Sequence, residues 1–191
     1  MASGSATGQA LNLTYHLNMS MSAIPNSAPA YQLSPREWTE SEVAGIASSL
    51  GIDGGVASQG ADSFSASGAG GSLFVAGNTL QYSGGGAATP TTGTLPSSDT
   101  LIQEARQWLV NHQILTSNVG SGYVSNENNS SGQATVVIQP ASPSNILGLT
   151  PSASVTLDSG GTVLQANVQW PSGLTPSNYG FRSANSLWSD V

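Results

Sequence analysis

The chain of 191 residues carries three Arg, no Lys, ten Asp plus Glu, two His and no Cys, for a formal net charge of -7. Three cations cannot neutralise a row of phosphates, which excludes nucleic-acid binding. The missing Lys excludes a P-loop, a Schiff base and a polybasic membrane patch, and the missing Cys excludes thiol catalysis, disulfides and a zinc knuckle.

Residues 1–9 read as a tail. Leu11 to Leu17 alternates apolar and polar residues, as a half-buried strand does. Ala23 to Ala30 holds Pro25 and Pro29 and reads as a linker. Ser34-Pro35-Arg36-Glu37 has capping-box spacing with Pro in the first helical position, and Thr39-Glu40-Ser41-Glu42 repeats the box a turn later. Val43, Ile46, Ala47 and Leu50 then share one helical face, with Gly51 as the stop. A first helix is predicted from 36–39 to 50. A β-meander follows: Phe64 and Ala66 alternate with serines, Gly68 to Gly71 turns the chain, 73–76 is a strand, Gly77-Asn78 a tight turn, and 80–82 a strand. Residues 83–98 read as a low-complexity linker. Ser98 or Asp99 caps a second helix, whose inner face is Leu101, Ala105, Trp108, Leu109 and His112. Strands follow near 121–125, 133–139, 153–158 and 162–170. In the last of these, Leu164, Ala166, Val168 and Trp170 share one face, and Gln165, Asn167 and Gln169 the other.

The two helices align without gaps. Glu42-Val43-Ala44-x-Ile46-Ala47 matches Glu104-Ala105-Arg106-x-Trp108-Leu109, and each helix leads into a meander. The expected fold is α+β: two repeated units, each a helix packed on an antiparallel β-meander. The expected organisation is a tail, N-terminal strand and Pro linker over 1–29, a first unit over 30–86, a linker over 87–98, a second unit over 99–180, and a C-terminal helical segment over 181–191.

Several short patterns occur in this order: Ala-Tyr-Gln-Leu at 30–33, Val-Ala-x-Ile-Ala-x-x-Leu-Gly-Ile at 43–52, Ala-x-x-Trp-Leu at 105–109, Leu-Asp-Ser-Gly-Gly-Thr-Val at 157–163 and Tyr-Gly-Phe-Arg-Ser-Ala-Asn-Ser-Leu-Trp at 179–188. Together they resemble the extracytoplasmic part of bacterial membrane-anchored proteins with PepSY-like or YycH/YycI-like repeats, over residues 30–191. The resemblance implies an anchor upstream, contact with another envelope protein such as a sensor kinase or a protease, and no catalytic residues.

Candidate chemistry is sparse. His16 lies in the first strand and His112 ends the second helix, where an imidazolium meets the negative end of the helix dipole. No Gly-x-Ser-x-Gly elbow accompanies them. Glu37, Glu40 and Glu42 crowd a helix start, where acids serve capping. Asp62, Glu104, Glu127 and Asp158 are isolated in sequence. Asn126-Glu127-Asn128-Asn129 offers oxygen donors but lacks calcium-loop spacing. Accordingly no enzyme activity, cofactor or metal is expected. Trp108 and Trp170 belong to the core. Trp38 and Trp188 are the partner-contact candidates, because exposed Trp anchors interfaces.

With 7% charged residues against about 25% in an average soluble domain, the surface is covered instead by 32 Ser, 15 Thr and 13 Asn. Cytosolic proteins rely on dense Lys and Glu for solubility. The expectation is therefore an extracytoplasmic protein, and the resemblance implies a membrane anchor preceding this start. Its role would be non-enzymatic contact or regulation with an envelope protein. Self-association in a filament or surface layer is the alternative.

Overall fold

The computed structural model describes residues 27–85, 93–143 and 151–180. The expected strand at 11–17, His16, the first half of the 87–98 linker, and the C-terminal helical segment with Trp188 lie outside the described residues. The chain divides into two units. The described part of one is residues 27–31 and 176–180, the outer length of a two-stranded ribbon formed by β1 (Ser27–Ser34) and β10 (Gly173–Gly180). Residues 23–30 thus do not form the expected linker throughout, because Ser27 to Ala30 belong to β1. Pro29 has no N–H to give a ladder, and a two-stranded ribbon leaves one side of each strand free to hold it.

The other unit, Gln32–Thr175, holds two helices and an eight-stranded antiparallel sheet. Its elements are α1 (Glu40–Ser49), β2 (Ala57–Gly60), β3 (Ser63–Gly68), β4 (Gly71–Ala76), β5 (Thr79–Gly84), α2 (Ser98–Asn111), β6 (Val119–Asn128), β7 (Gln133–Pro140), β8 (Ser152–Asp158) and β9 (Val163–Gln169). Spatial order across the sheet is β2-β3-β4-β5-β9-β8-β7-β6.

This corrects the expected α+β class of two repeated helix-plus-meander units. Strands take 50% of the described residues and helices 17%, and the sheet strands form one surface. The physical cause is the pairing of β5 with β9, from Thr79 opposite Gln169 to Ser83 opposite Gln165. Each is the last strand of its run, and each would otherwise be an open edge with unpaired N–H and C=O groups.

One parity of the strands faces the helices. Phe64, Leu73, Val75, Leu80, Tyr82, Val136, Ile138, Val155, Leu157 and Val168 are buried there. Helix α1 packs on β3 with Val43, Ile46 and Ala47, and α2 packs on β6, β7 and β8 with Leu101, Ala105 and Leu109. Of the two capping boxes in the sequence, only the second starts a helix. Thr39 Oγ1 accepts from Glu42 N at 3.2 Å, while Glu42 Oε2 accepts from Thr39 N at 3.0 Å. Ser97, one residue earlier than expected, caps α2.

The residues of the unused first box do other work. The Gly77-Asn78 turn between β4 and β5 gathers three outside donors. Arg36 N donates to Asn78 Oδ1 (2.7 Å), Trp38 Nε1 to Gly77 O (2.7 Å) and Trp170 N to Asn78 O (2.8 Å). Gly77 holds φ +50, which suits glycine in a turn this tight.

Two glycines separate strain from propensity. At Gly71, φ is +128 and an added Cβ would lie 2.2 Å from Ser83 O, so Gly71→Ala is expected to lower stability by about 2 kcal/mol or more in urea unfolding. Gly45, inside α1 with open space around it, should give the opposite sign, a gain of about 0.5–1 kcal/mol for Gly45→Ala.

Candidate functional site

Two surfaces of the larger unit carry unusual chemistry. The first is the sheet face opposite the helices. Register links one row across all its strands: Ala57–Ser65, Ser65–Phe74, Phe74–Gln81, Gln81–Asn167, Asn167–Ser154, Ser154–Val137 and Val137–Tyr123. At about 4.8 Å per strand the row spans roughly 33 Å. On β3, β4, β5, β7, β8 and β9 the one charged residue of this parity is Asp158, which is buried at the end of β8. Phe74 and Tyr123 are exposed on it, and a shallow depression of about 380 Å³ lies around Phe74, Gln81 and Asn167.

The edges of the sheet are unsuited to strand addition. Edge strand β2 has four residues and a register break between Ser58 and Gly60. Edge strand β6 has breaks at Val119/Gly122 and Val124/Asn126. Short, bulged edges of this kind resist pairing with another chain.

The second surface is a cleft of about 790 Å³ between the segment before α1, the segment after α2 and the start of β10. Pro35, Pro140, Pro151, Trp170 and Pro171 form apolar walls, and Arg36 is its single cation among the described residues. Arg36 lies with Cζ 3.7 Å above the centroid of Trp38, and its Nη1 donates to Ile114 O at 2.8 Å. Burial pulls the guanidinium pKa below its usual value, and the nearby Glu42 carboxylate partly offsets this. No carboxylate among the described residues forms an ion pair with it, and Glu42 Oε2 accepts from Thr39 N and Oγ1 instead.

Trp38, read as a partner-contact candidate, is buried, at 5% exposure. Its indole closes the Gly77 turn and supports Arg36. The sequence signal that could have revealed this was the adjacent Arg36, since a Trp beside an Arg forms a stacked pair readily. Trp188, the other candidate, lies outside the described residues. Trp170 is buried as expected, and Trp108 is half-buried, tilted against Tyr82 at 5.3 Å between centroids.

His112 stacks on Trp108 at 5.2 Å, with Nδ1 3.0 Å from Ser49 Oγ on α1. This is not an activated nucleophile. The Ser49 hydroxyl gives its only proton to Ile46 O at 2.7 Å, so it accepts from Nδ1–H rather than losing a proton to it. The scattered carboxylates serve turns. Asp158 Oδ1 accepts from Gly160 N (3.0 Å) and Thr162 N (2.8 Å), and Asp53 Oδ1 from Ala69 N (3.0 Å). Asn128 Oδ1 closes its own loop by accepting from Ser130 N and Ser131 N, both at 3.2 Å. Glu104 Oε2 is buried without a hydrogen-bond partner. Among the described residues no group of three or more His, Asp or Glu is placed to hold a metal ion.

No family model, no curated protein and no solved structure matches the chain. No helix among the described residues is long and apolar enough to cross a membrane.

Two measurements check these assignments. Trp38→Ala should cost about 3–5 kcal/mol in denaturant unfolding, as a buried, bonded indole requires. For His112, burial lowers the folded-state pKa below the ordinary 6.5. The unfolded chain therefore takes the proton first as pH falls. Stability from the neutral imidazole is complete above about pH 6.5 and is lost as pH falls through the folded pKa. Unfolding at pH 7.5 and pH 5 should show the wild type losing more stability than His112→Gln over that interval; equal losses would contradict the assignment.

Proposed function

We propose that the chain is a non-enzymatic contact domain of the bacterial cell envelope, which engages another envelope protein through its uncovered sheet face. The observation that carries this reading is the uncharged cross-strand row centred on Phe74, Gln81, Asn167 and Ser154. A face this regular, with an uncharged central row and an exposed aromatic, suits a partner surface that is itself uncharged. Such a contact gains little from electrostatic steering and should be nearly insensitive to salt. Extracytoplasmic placement is supported by the low charge and the abundance of Ser, Thr and Asn.

The reading favours a different partner over self-assembly because the edges β2 and β6 are blunted by shortness and bulges. The experiment is capture from solubilised envelope of the source organism by three forms of the domain. Asn167→Glu places a charge at the centre of the face, and Gln107→Glu places the same charge on the exposed side of α2. A partner bound by wild type and by Gln107→Glu, and reduced at least about tenfold by Asn167→Glu, is the expected result. Retention by Asn167→Glu would overturn the reading. Recovery of the chain alone, with mass rising on concentration in sedimentation, would replace it by self-association.

A further inference from the structure

The cleft at Arg36 raises a question that the sheet face does not answer. Arginine is always charged, and a half-buried charge is costly unless something pairs with it. Here the indole of Trp38 covers the guanidinium on one side, one N–H is used by Ile114 O, and the remaining N–H groups have no protein partner among the described residues. In a chain with three arginines and no lysine, this one stands in a cleft whose volume falls within the roughly 300–1,000 Å³ usual for small-ligand sites.

The walls limit the ligand's charge. Glu37 and Glu42 also line the cleft, and the chain is acidic overall. A phosphate dianion would face these carboxylates with a single cation to hold it. One carboxylate fits better, since the planar guanidinium presents a fork that matches its two oxygens. The apolar walls of Pro35, Pro140, Pro151, Ile114, Leu115 and Trp170 call for an apolar body behind that carboxylate.

We propose that this cleft binds a monocarboxylate with an apolar body, its carboxylate paired with Arg36 and its body against Trp170 and the prolines. A free aliphatic acid and the carboxy-terminal residue of a peptide share this chemistry. The site is separate from the sheet face, so Asn167→Glu should leave it unchanged.

The test is titration of the purified chain with octanoate, N-acetyl-leucine and N-acetyl-leucine amide, by calorimetry and by intrinsic tryptophan fluorescence. Saturable binding of at least one acid is expected, with the amide weaker by about tenfold or more, the usual value of a charge-assisted pair. Preference for octanoate would point to a free acid, and preference for N-acetyl-leucine to a peptide end. Arg36→Gln should weaken binding by a similar factor. Because Arg36 also supports Ile114, a second variant is needed that leaves the packing alone. Glu37 is exposed, and Glu37→Gln should tighten binding about two- to threefold by removing a like charge from the cleft. No binding of either acid at millimolar concentration, equal binding of acid and amide, or weaker binding by Glu37→Gln would each overturn the proposal.

Discussion

The ladder between β5 and β9 is the constraint on which both surfaces depend. Between Ser83 and Val163 the chain makes α2 and three strands before it returns, so this pairing closes a long loop and must recover its entropy. It does so on two faces at once. Leu80 and Tyr82 meet Val168 and Ala166 on the covered face, while Gln81 meets Asn167 on the open one. The turn that starts β5 also fixes the cleft. Gly77 and Asn78 accept from Trp38, Arg36 and Trp170, two of which line the cleft while the third supports Arg36. Loss of the β5–β9 register would divide the row of side chains and release the cleft wall together.

Scarcity of charge has a structural logic. The two arginines among the described residues both donate to backbone carbonyls, Arg36 to Ile114 O and Arg106 to Gly120 O. Glu42, Asp53 and Asp158 accept from backbone N–H groups at a helix start and at turns. Ionised side chains are thus used to satisfy loop backbone, where a charge-assisted bond is worth more than an exposed ion pair. Ser, Thr, Asn and Gln are left to cover the sheet. Thr135 and Thr156 even bond to one another across β7 and β8, at 3.1 Å between hydroxyl oxygens.

Local features were legible in the sequence. The alternation from Gln165 to Trp170, the Gly77-Asn78 turn, the Thr39 capping box and the inner face of α2 follow from rules that involve only near neighbours, and each is present. At the start of the expected 162–170 strand, by contrast, a bulge opposite Thr156 and Leu157 buries Val163 in place of Leu164. Pairings between distant segments were not legible. Nothing in the pattern of β5 says that β9 is its neighbour, and nothing in Ser27 to Ser34 names Gly173 to Gly180 as its partner. Pro29 reads as a linker residue because its cost in a strand depends on what lies beside it. The same holds for the cleft. Ser34-Pro35-Arg36-Glu37 looks like a helix start, and only the positions of Asn78, Ile114 and Trp38 turn it into a site. The burial of Trp38 is hidden for the same reason, because its acceptor, Gly77 O, lies in a hairpin far along the chain.

Strand parity separates the core from the open face in this fold. Residues of one parity make the core, and a substitution among them changes packing. Residues of the other parity, such as Gln81, Asn167 and Ser154, lie on a rigid sheet and contribute little to it. Side chains of the open face can therefore change without disturbing the scaffold beneath. A strand edge has no such freedom, because its backbone groups would pair with any chain of suitable length. The short β2 and the bulged β6 suppress that unselective mode. What the open face offers is therefore side chains rather than backbone groups, on the side of the sheet away from the helices.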